Sequence, residues 1–527
     1  MTKVVIDPIT RIEGHLRITV EVENGKVKDA WNTCTMFRGF EIFMENIDPR
    51  DTWHYAQRIC GVCPNPHALN SATAAERSMG VATVPDNARL VRNMLDATQL
   101  GYDSILWFYI LNAFDYVNVP DVLNAKTTDP QLLAIQAQVK AVATSGQVNP
   151  FSNHYWDHPG YVLPPEINLV LTSHYLQAID AQQAANQACA VIAGKFPMIM
   201  TMAAGGITQL PNVSDINYYL DRMGVVKEFT ENVLWPDLLA VAGAFPELAT
   251  FGQGVGNFLT WGLLEDKSQD PYKRLFPRGG IFGGKLQVEK VDPAEARLYT
   301  KYSYYDDSMG AGKRPFDVGQ KAIKFDSAAD PYPPIDGDAL PTGKYDWTRA
   351  ARYPSPDGKD VPMEVGPLSE VLVAYLNGQP DVKKYVDEVL AAVGAAGKPE
   401  ILVSNLGRVA ARVIKARVNT DHAAEWGMSL LENIKGGDTT CFTEPNLMAD
   451  GEGISGYDAP RGALSHYCRI SGGKTTKYAA VPASNWNLAP RDDNGVRGPV
   501  EEALVGTPVV DVTKPLEILR TVHTFDP

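Results

Sequence analysis

The chain has 527 residues, 45% of them apolar and 21% charged, a balance that excludes disordered and fibrous classes and fits a soluble globular protein. A formal net charge of −14 argues against a nucleic-acid partner, because phosphate binding needs clustered Lys and Arg. The length suffices for a large core, roughly two to four domains' worth of material.

The opening residues, "MTKVVIDPITRIEGHL", show no charged region followed by an apolar one, so no export signal is expected on this chain itself. Apolar and polar residues then alternate around Asn24-Gly25. That pattern predicts a β-hairpin, with strands near 15–23 and 26–33, inside an N-terminal unit of residues 1–50. Apolar residues recur at helical spacing over 87–117, 165–195, 214–247 and 367–394. Such long, apolar segments are expected to pack on one another as a helical body over about 60–260 and 366–435. The most apolar stretch, "SILWFYILNAF" at 104–114, is about half a membrane span and reads as a buried helix.

Between about 266 and 365 the texture changes. "DPYKRLFPRGGIFGGK", "DPYPPIDGDALPTGKYDW" and "YPSPDGKDVP" are dense in Pro, Gly, Asp and Tyr, which predicts turns and short strands decorating the helical body. Residues 436–527 form a C-terminal segment. The class expected is therefore α+β, a central bundle of long helices with peripheral β-rich segments in a single domain. Three glycine-rich strings do not qualify as nucleotide loops. "GQGVGNF" at 252–258 has the wrong spacing, "GGIFGGK" at 279–285 is followed by Leu286 where Ser or Thr should hold Mg²⁺, and "GAGK" at 310–313 is too short.

Six cysteines in so long a chain exclude a disulfide framework. Cys34, Cys189, Cys441 and Cys468 are scattered singly, as small buried hydrophobes are. Only Cys60 and Cys63 form a chelating pair, the two-residue spacer letting both sulfurs reach one metal while Gly61 permits the tight turn. Spacing alone leaves three readings open: a zinc knuckle without its second pair, a thioredoxin-type redox pair without the βαβ setting, and half of a soft-metal site whose other ligands lie far away in sequence. Arg58 and His67 flank the pair with hydrogen-bond donors for sulfur and favour the last.

The string "RICGVCPNPHAL" at 58–69 resembles the N-terminal cysteine motif in the large subunit of nickel–iron hydrogenases. "DPITRIEGHLRI" at 7–18, "FRGFE" at 37–41, "APRGALSHY" at 459–467, "PRDDNGVRGPVEEALVGTPV" at 490–509 and "EILRTVHTFDP" at 517–527 extend the resemblance, in order, over essentially the whole chain. It implies the hydrogenase large-subunit fold and reversible heterolytic cleavage of dihydrogen to protons and electrons at a nickel–iron centre. By this resemblance Cys60 is a terminal nickel ligand and Cys63 a bridge between nickel and an iron that also carries carbon monoxide and cyanide. Arg461 would polarise dihydrogen, since a guanidinium is a poor base, and Pro460, Asp103 and Asp526 would line the same canopy. Asp103, a carboxylate in an apolar helical stretch, needs a partner, and Arg461 is the one expected. Glu13 would take the proton, as a buried carboxylate with a raised pKa suits relay work. Glu41 would bind Mg²⁺ or iron at a secondary site. Pro482 and Ser484 would face the cyanide ligands, with Ala483 standing where the family usually has Ser or Thr.

No cysteines remain here for an iron–sulfur cluster, so the resemblance implies an iron–sulfur small subunit to carry electrons away, together with maturation chaperones. Export with that partner on its twin-arginine signal would place the pair in the periplasm or on the periplasmic face of the membrane, with membrane contact only through partners. In the family the last motif continues after Asp-Pro with a cysteine, two residues, a second cysteine, two residues and a histidine. The ending at Asp526-Pro527 therefore suggests a selenocysteine codon read as a stop, as expected of the nickel–iron–selenium subgroup, or else a truncated cysteine enzyme. The polypeptide as written is expected to be inactive. Two further readings stay open: a complex I quinone-site subunit, which shares the fold but lacks the cysteines, and a hydrogen sensor.

Overall fold

A computed structural model describes residues 1–145, 155–306, 308, 310–318 and 343–527. Strands β1 (Thr2–Ile6), β2 (Leu16–Glu23) and β3 (Lys26–Cys34) form an antiparallel sheet in that order. Asn24 and Gly25 both take positive φ, 53° and 71°, the pairing that lets a two-residue turn follow the strand twist. The expected hairpin is present. β1 joins it with Val4 opposite Val20, a strand that alternation from residue 15 onward does not include.

The helices that build the body include α1 (Pro64–Ser78), α2 (Asp86–Leu106), α3 (Pro165–Ala193), α4 (Val213–Phe229), α5 (Pro367–Leu376), α6 (Pro380–Ala392) and α7 (Asn405–Lys435). Leu95 of α2, Ala181 of α3, Tyr219 of α4 and Val413 of α7 belong to one buried cluster, so the central bundle is as expected. The helices are interrupted in ways that apolar spacing hides. The stretch 87–117 is α-helical through Leu106 and then widens into a π-helical turn at Trp107–Asn112. The stretch 214–247 does the same at Thr230–Leu234, ahead of Pro236, which has no N–H for an α-type bond. The stretch 367–394 divides into α5 and α6 because Pro380 opens a new helix at its first position. α7 runs for 31 residues and is capped by Ser404, whose side chain accepts from the Gly407 amide.

The β-rich region contains short strands at Gly279–Ile281, Arg297–Tyr299, Ala350–Pro354 and Asp360–Val361. The expected turns in "DPYPPIDGDALPTGKYDW" lie largely outside the described residues. Beyond α7 comes an antiparallel meander that sequence periodicity does not announce: β4 (Gly451–Ala459), β5 (Gly462–Ser471) and β6 (Lys474–Val481). β5 is buried almost throughout, so it carries no alternation of apolar and polar residues. Among the described residues no helix is long and apolar enough to cross a membrane.

The last helix, α8 (Leu516–Thr524), returns to the beginning of the chain. Ile518, Val522 and Phe525 share a buried cluster with Ile18, Val20 and Val27 of the N-terminal sheet. Apolar burial thus holds the two ends of the polypeptide in one place, and that place is where the site forms.

Candidate active site

Cys60 and Cys63 lie on the loop that leads into α1, with Pro64 in the first turn, where a missing N–H leaves nothing unsatisfied. Both are buried, and the Cys63 amide donates to Cys60 Sγ at 3.2 Å. A hydrogen bond with the Cys63 thiol shifts the Cys60 pKa down, helped against burial by the charge of Arg461. The same bond, with burial, shifts Cys63 up. The two sulfurs are thereby made unequal, Cys60 being the one shifted toward the thiolate form that binds metal. Gln99 on α2 fixes the loop: its Nε2 donates to Val62 O and to Asp103 Oδ2, both at 2.8 Å. Sequence reading missed Gln99, whose one signal is its place a single helical turn before Asp103.

Arg461 reaches the cysteines from the β4–β5 turn, Ala459-Pro460-Arg461-Gly462. Gly462 has φ 115°, and a Cβ there would stand 2.2 Å from the Gly366 amide nitrogen, so the turn is pressed against the start of α5. Arg461 is buried, with Nη2 3.1 Å from Asp526 Oδ1 and 3.4 Å from Asp103 Oδ1. Yet none of its guanidinium nitrogens is aligned for a hydrogen bond. Burial opposes its charge, but Asp526, Asp103 and the two cysteines hold its pKa well above the usual value. Burial pushes Asp103 up to about 6, restrained by Arg461. The expected Asp103–Arg461 partnership is present.

Asp526 takes φ 54° and turns the chain end toward the N-terminal loop. There Pro527 O accepts from the Glu13 amide at 3.1 Å, and Glu13 Oε1 accepts from the Gly61 amide at 3.1 Å. Residues from both ends of the polypeptide therefore meet at the cysteine loop. Glu13 is half-buried rather than fully buried, on the loop that joins β1 to β2.

Other expected residues lie elsewhere. Arg58 does not serve the sulfurs: it is exposed, and its guanidinium donates to His54 O. His67 is buried, but its Nδ1 faces His466 Nε2 at 3.1 Å, and His466 Nδ1 lies 2.6 Å from the Tyr478 hydroxyl. Burial lowers His67 to about 3, so it is neutral at physiological pH. Glu41 Oε1 accepts from Arg349 Nη2 at 2.7 Å and from the Ala480 amide at 2.9 Å. Pro482 precedes the short helix Ala483–Asn487 directly after β6, and Ser484 is half-buried in its first turn. Pro460 is buried. Among the described residues no group of three or more His, Cys, Asp or Glu side chains is arranged to hold a metal.

The donors fit a soft metal: two sulfurs on one tight loop face a buried guanidinium whose hydrogen-bonding capacity is unmet. The sequence profile of the nickel-dependent hydrogenases matches residues 38–527, and a HoxL-like profile matches residues 3–34. The chain belongs to the nickel-dependent hydrogenase family. It is 37% identical to the Hydrogenase-2 large chain of Escherichia coli K12, across all of this chain and 96% of that one. It is 33% identical to the quinone-reactive Ni/Fe-hydrogenase large chain of Wolinella succinogenes, across all of this chain and 95% of that one. The Ni-Fe-Se hydrogenase of Desulfovibrio vulgaris Hildenborough in its reduced state superposes with a TM-score of 0.82 at 30% identity, covering all of this chain and 98% of that one. This hydrogenase is a large, catalytic subunit of the nickel–iron type, and the scaffold reading without cysteines is not favoured.

Proposed function

We propose that Cys60 and Cys63 hold the nickel–iron centre of this hydrogenase and that Arg461, Asp103, Asp526 and Glu13 serve the cleavage of dihydrogen beside it. The observation that carries the reading is the convergence of both chain ends on the cysteine loop, through Glu13 on one side and Asp526 with Arg461 on the other. When bound, the centre supplies a two-electron acceptor for heterolytic cleavage. Arg461, charged and without hydrogen bonds, polarises dihydrogen; Asp103 and Asp526 keep its guanidinium in place. Glu13, fixed by the Gly61 amide and half-open to water, takes the proton outward.

Electrons leave to an iron–sulfur small subunit. Arg38 donates to Arg58 O and Ile59 O, which anchors the segment from Met36 to Phe43 beside the cysteine loop. That segment exposes Met36, Phe37, Ile42 and Phe43, with Tyr55 nearby, an apolar patch suited to a permanent partner. Pro482 and Ser484 are the proposed neighbours of the cyanide ligands on iron, and the heterodimer is proposed to reside in the periplasm or at the periplasmic face of the membrane.

Isotope exchange between dihydrogen and D₂O tests the site. In the heterodimer with nickel and iron loaded, Glu13→Gln is expected to slow exchange by about 10²-fold while the metal content stays intact. Wild-type exchange in that variant would remove Glu13 from the reaction.

A further inference from the structure

Arg412 has no part in the reading above, yet it touches two pieces of the canopy. It lies buried on α7 with Arg408 one turn before it and Lys415 one turn after, so three cations share one inward face of the helix. Each meets a carboxylate. Arg408 clasps Glu364 through two bonds of 2.8 Å, Lys415 Nζ stands 2.6 Å from Glu370 Oε2, and Arg412 Nη1 stands 3.1 Å from Asp526 Oδ2. The same Nη1 donates to Pro460 O at 3.2 Å. The guanidinium rests on the Trp107 ring, its Cζ 4.5 Å from the centroid, and Trp107 is itself pinned by donating to His523 O at 2.9 Å. Arg412 is thus held on one side and holds on the other.

We propose that Arg412 is a positioning residue for Arg461: by occupying Oδ2 of Asp526 and the carbonyl of Pro460, it leaves Arg461 only Oδ1 and keeps its guanidinium turned toward the cysteines. The inference rests on the reading that Arg461 acts on dihydrogen. A guanidinium and a carboxylate left to themselves pair side by side through two parallel hydrogen bonds. Arg461 and Asp526 do not; one nitrogen approaches one oxygen, without hydrogen-bond alignment. Arg412 Nη1 stands 3.1 Å from the second oxygen, an ion pair that is itself not aligned as a hydrogen bond but is close enough to keep Arg461 from pairing there. Asp526 also takes φ 54°, a left-handed backbone value that aspartate tolerates, which turns its carboxylate between Arg412 and Arg461. Through Pro460 O, Arg412 fixes the backbone one residue before Arg461 as well. Removing its side chain frees both oxygens of Asp526 for Arg461, which then turns away from the sulfurs.

The test uses the nickel-loaded enzyme with its small subunit. Arg412→Gln is expected to lower kcat for dihydrogen oxidation by at least about tenfold with KM unchanged, because a small misplacement of a polarising group acts on the chemical step. Arg412→Lys recovers part of the loss, and a structure of R412Q shows both Asp526 oxygens on Arg461. In an R461K background, R412Q costs less than about twofold more, since the group it positions has gone. Wild-type kcat in R412Q, or the full loss repeated in the R461K background, overturns the positioning role. An R461K enzyme with wild-type rate overturns instead the reading beneath it. Should R412Q fail to take up nickel, the same cycle run with R412K separates these outcomes.

Discussion

Asp103, Arg461, Asp526 and Arg412 are buried, on α2, in the β4–β5 turn, two residues past the end of α8 and on α7. On the opposite side of the cysteines Glu13 is half-buried on a loop and meets its neighbours through backbone amides. The difference follows from what each side would do. A charge aimed at a developing dipole works best when its orientation is over-determined and water is absent. A group that hands a proton onward needs an edge in water and a short path to it. The first side is therefore expected to tolerate almost no change, and the second to lose rate without losing structure.

The largest effect removes the centre on which both sides converge. Cys63→Ala takes away one of the two sulfurs on the loop, and the variant is expected to retain less than about a tenth of the wild-type nickel by elemental analysis. Full nickel occupancy would separate the loop from the metal and cancel the comparison. A pair of glycines then probes the sides separately. Gly462→Ala forces a Cβ to within 2.2 Å of a backbone nitrogen at φ 115°, so a loss on the order of 3 kcal/mol and a clear fall in Tm are expected. Gly14, beside Glu13, has φ 90° but nothing within 4 Å of an added Cβ. Its substitution by Ala is expected to cost about 1 kcal/mol, from backbone conformation alone. Equal costs would mean that the turn bearing Arg461 is no more constrained than the loop bearing Glu13.

Much of the fold, and less of the site, is written locally. The N-terminal hairpin is legible because β2 alternates apolar and polar residues, although both its faces are largely buried, and Asn24-Gly25 marks the turn. The long helices are legible from apolar spacing, whereas their π-helical turns at Trp107–Asn112 and Thr230–Leu234 are not, because a widened turn leaves the apolar pattern almost unchanged. The meander β4–β6 is hidden by its burial. At the site, the Cys60–Cys63 spacing announces a chelating pair, but adjacency in sequence misleads about Arg58, which points to solvent from the end of a short helix. It misleads about His67 too, whose ring nitrogen faces His466, 399 residues away in sequence, instead of a sulfur. Arg412 and Gln99 could not be singled out, since each acts on groups brought near only by tertiary packing.

An effect between those of the two glycines concerns what holds the open side in register. Asp115 lies just after the π-helical turn and is fully buried, with Oδ1 2.5 Å from Arg11 Nη2 and Oδ2 2.5 Å from His523 Nδ1. His523 Nε2 donates to Thr10 O at 2.9 Å, so one carboxylate joins the loop carrying Glu13 to the helix that leads into Asp526. Burial alone would raise its pKa, but Arg11 and His523 outweigh burial and hold it down at about 2. A carboxylate lowered on folding contributes stability that is complete above its unfolded value near 3.8 and is lost as pH falls through about 2. Asp115→Asn keeps the shape and removes the charge, so it is expected to lower stability at neutral pH by on the order of 2 kcal/mol. Melting curves of wild type and variant should lie apart by a constant interval between about pH 5 and 7 and approach each other as pH falls from about 4 toward 2. An interval that persists undiminished at the acid end would mean that the substitution disturbs packing and that the two chain ends are held by the shared apolar cluster of Ile18, Val20 and Val522 without help from this charge.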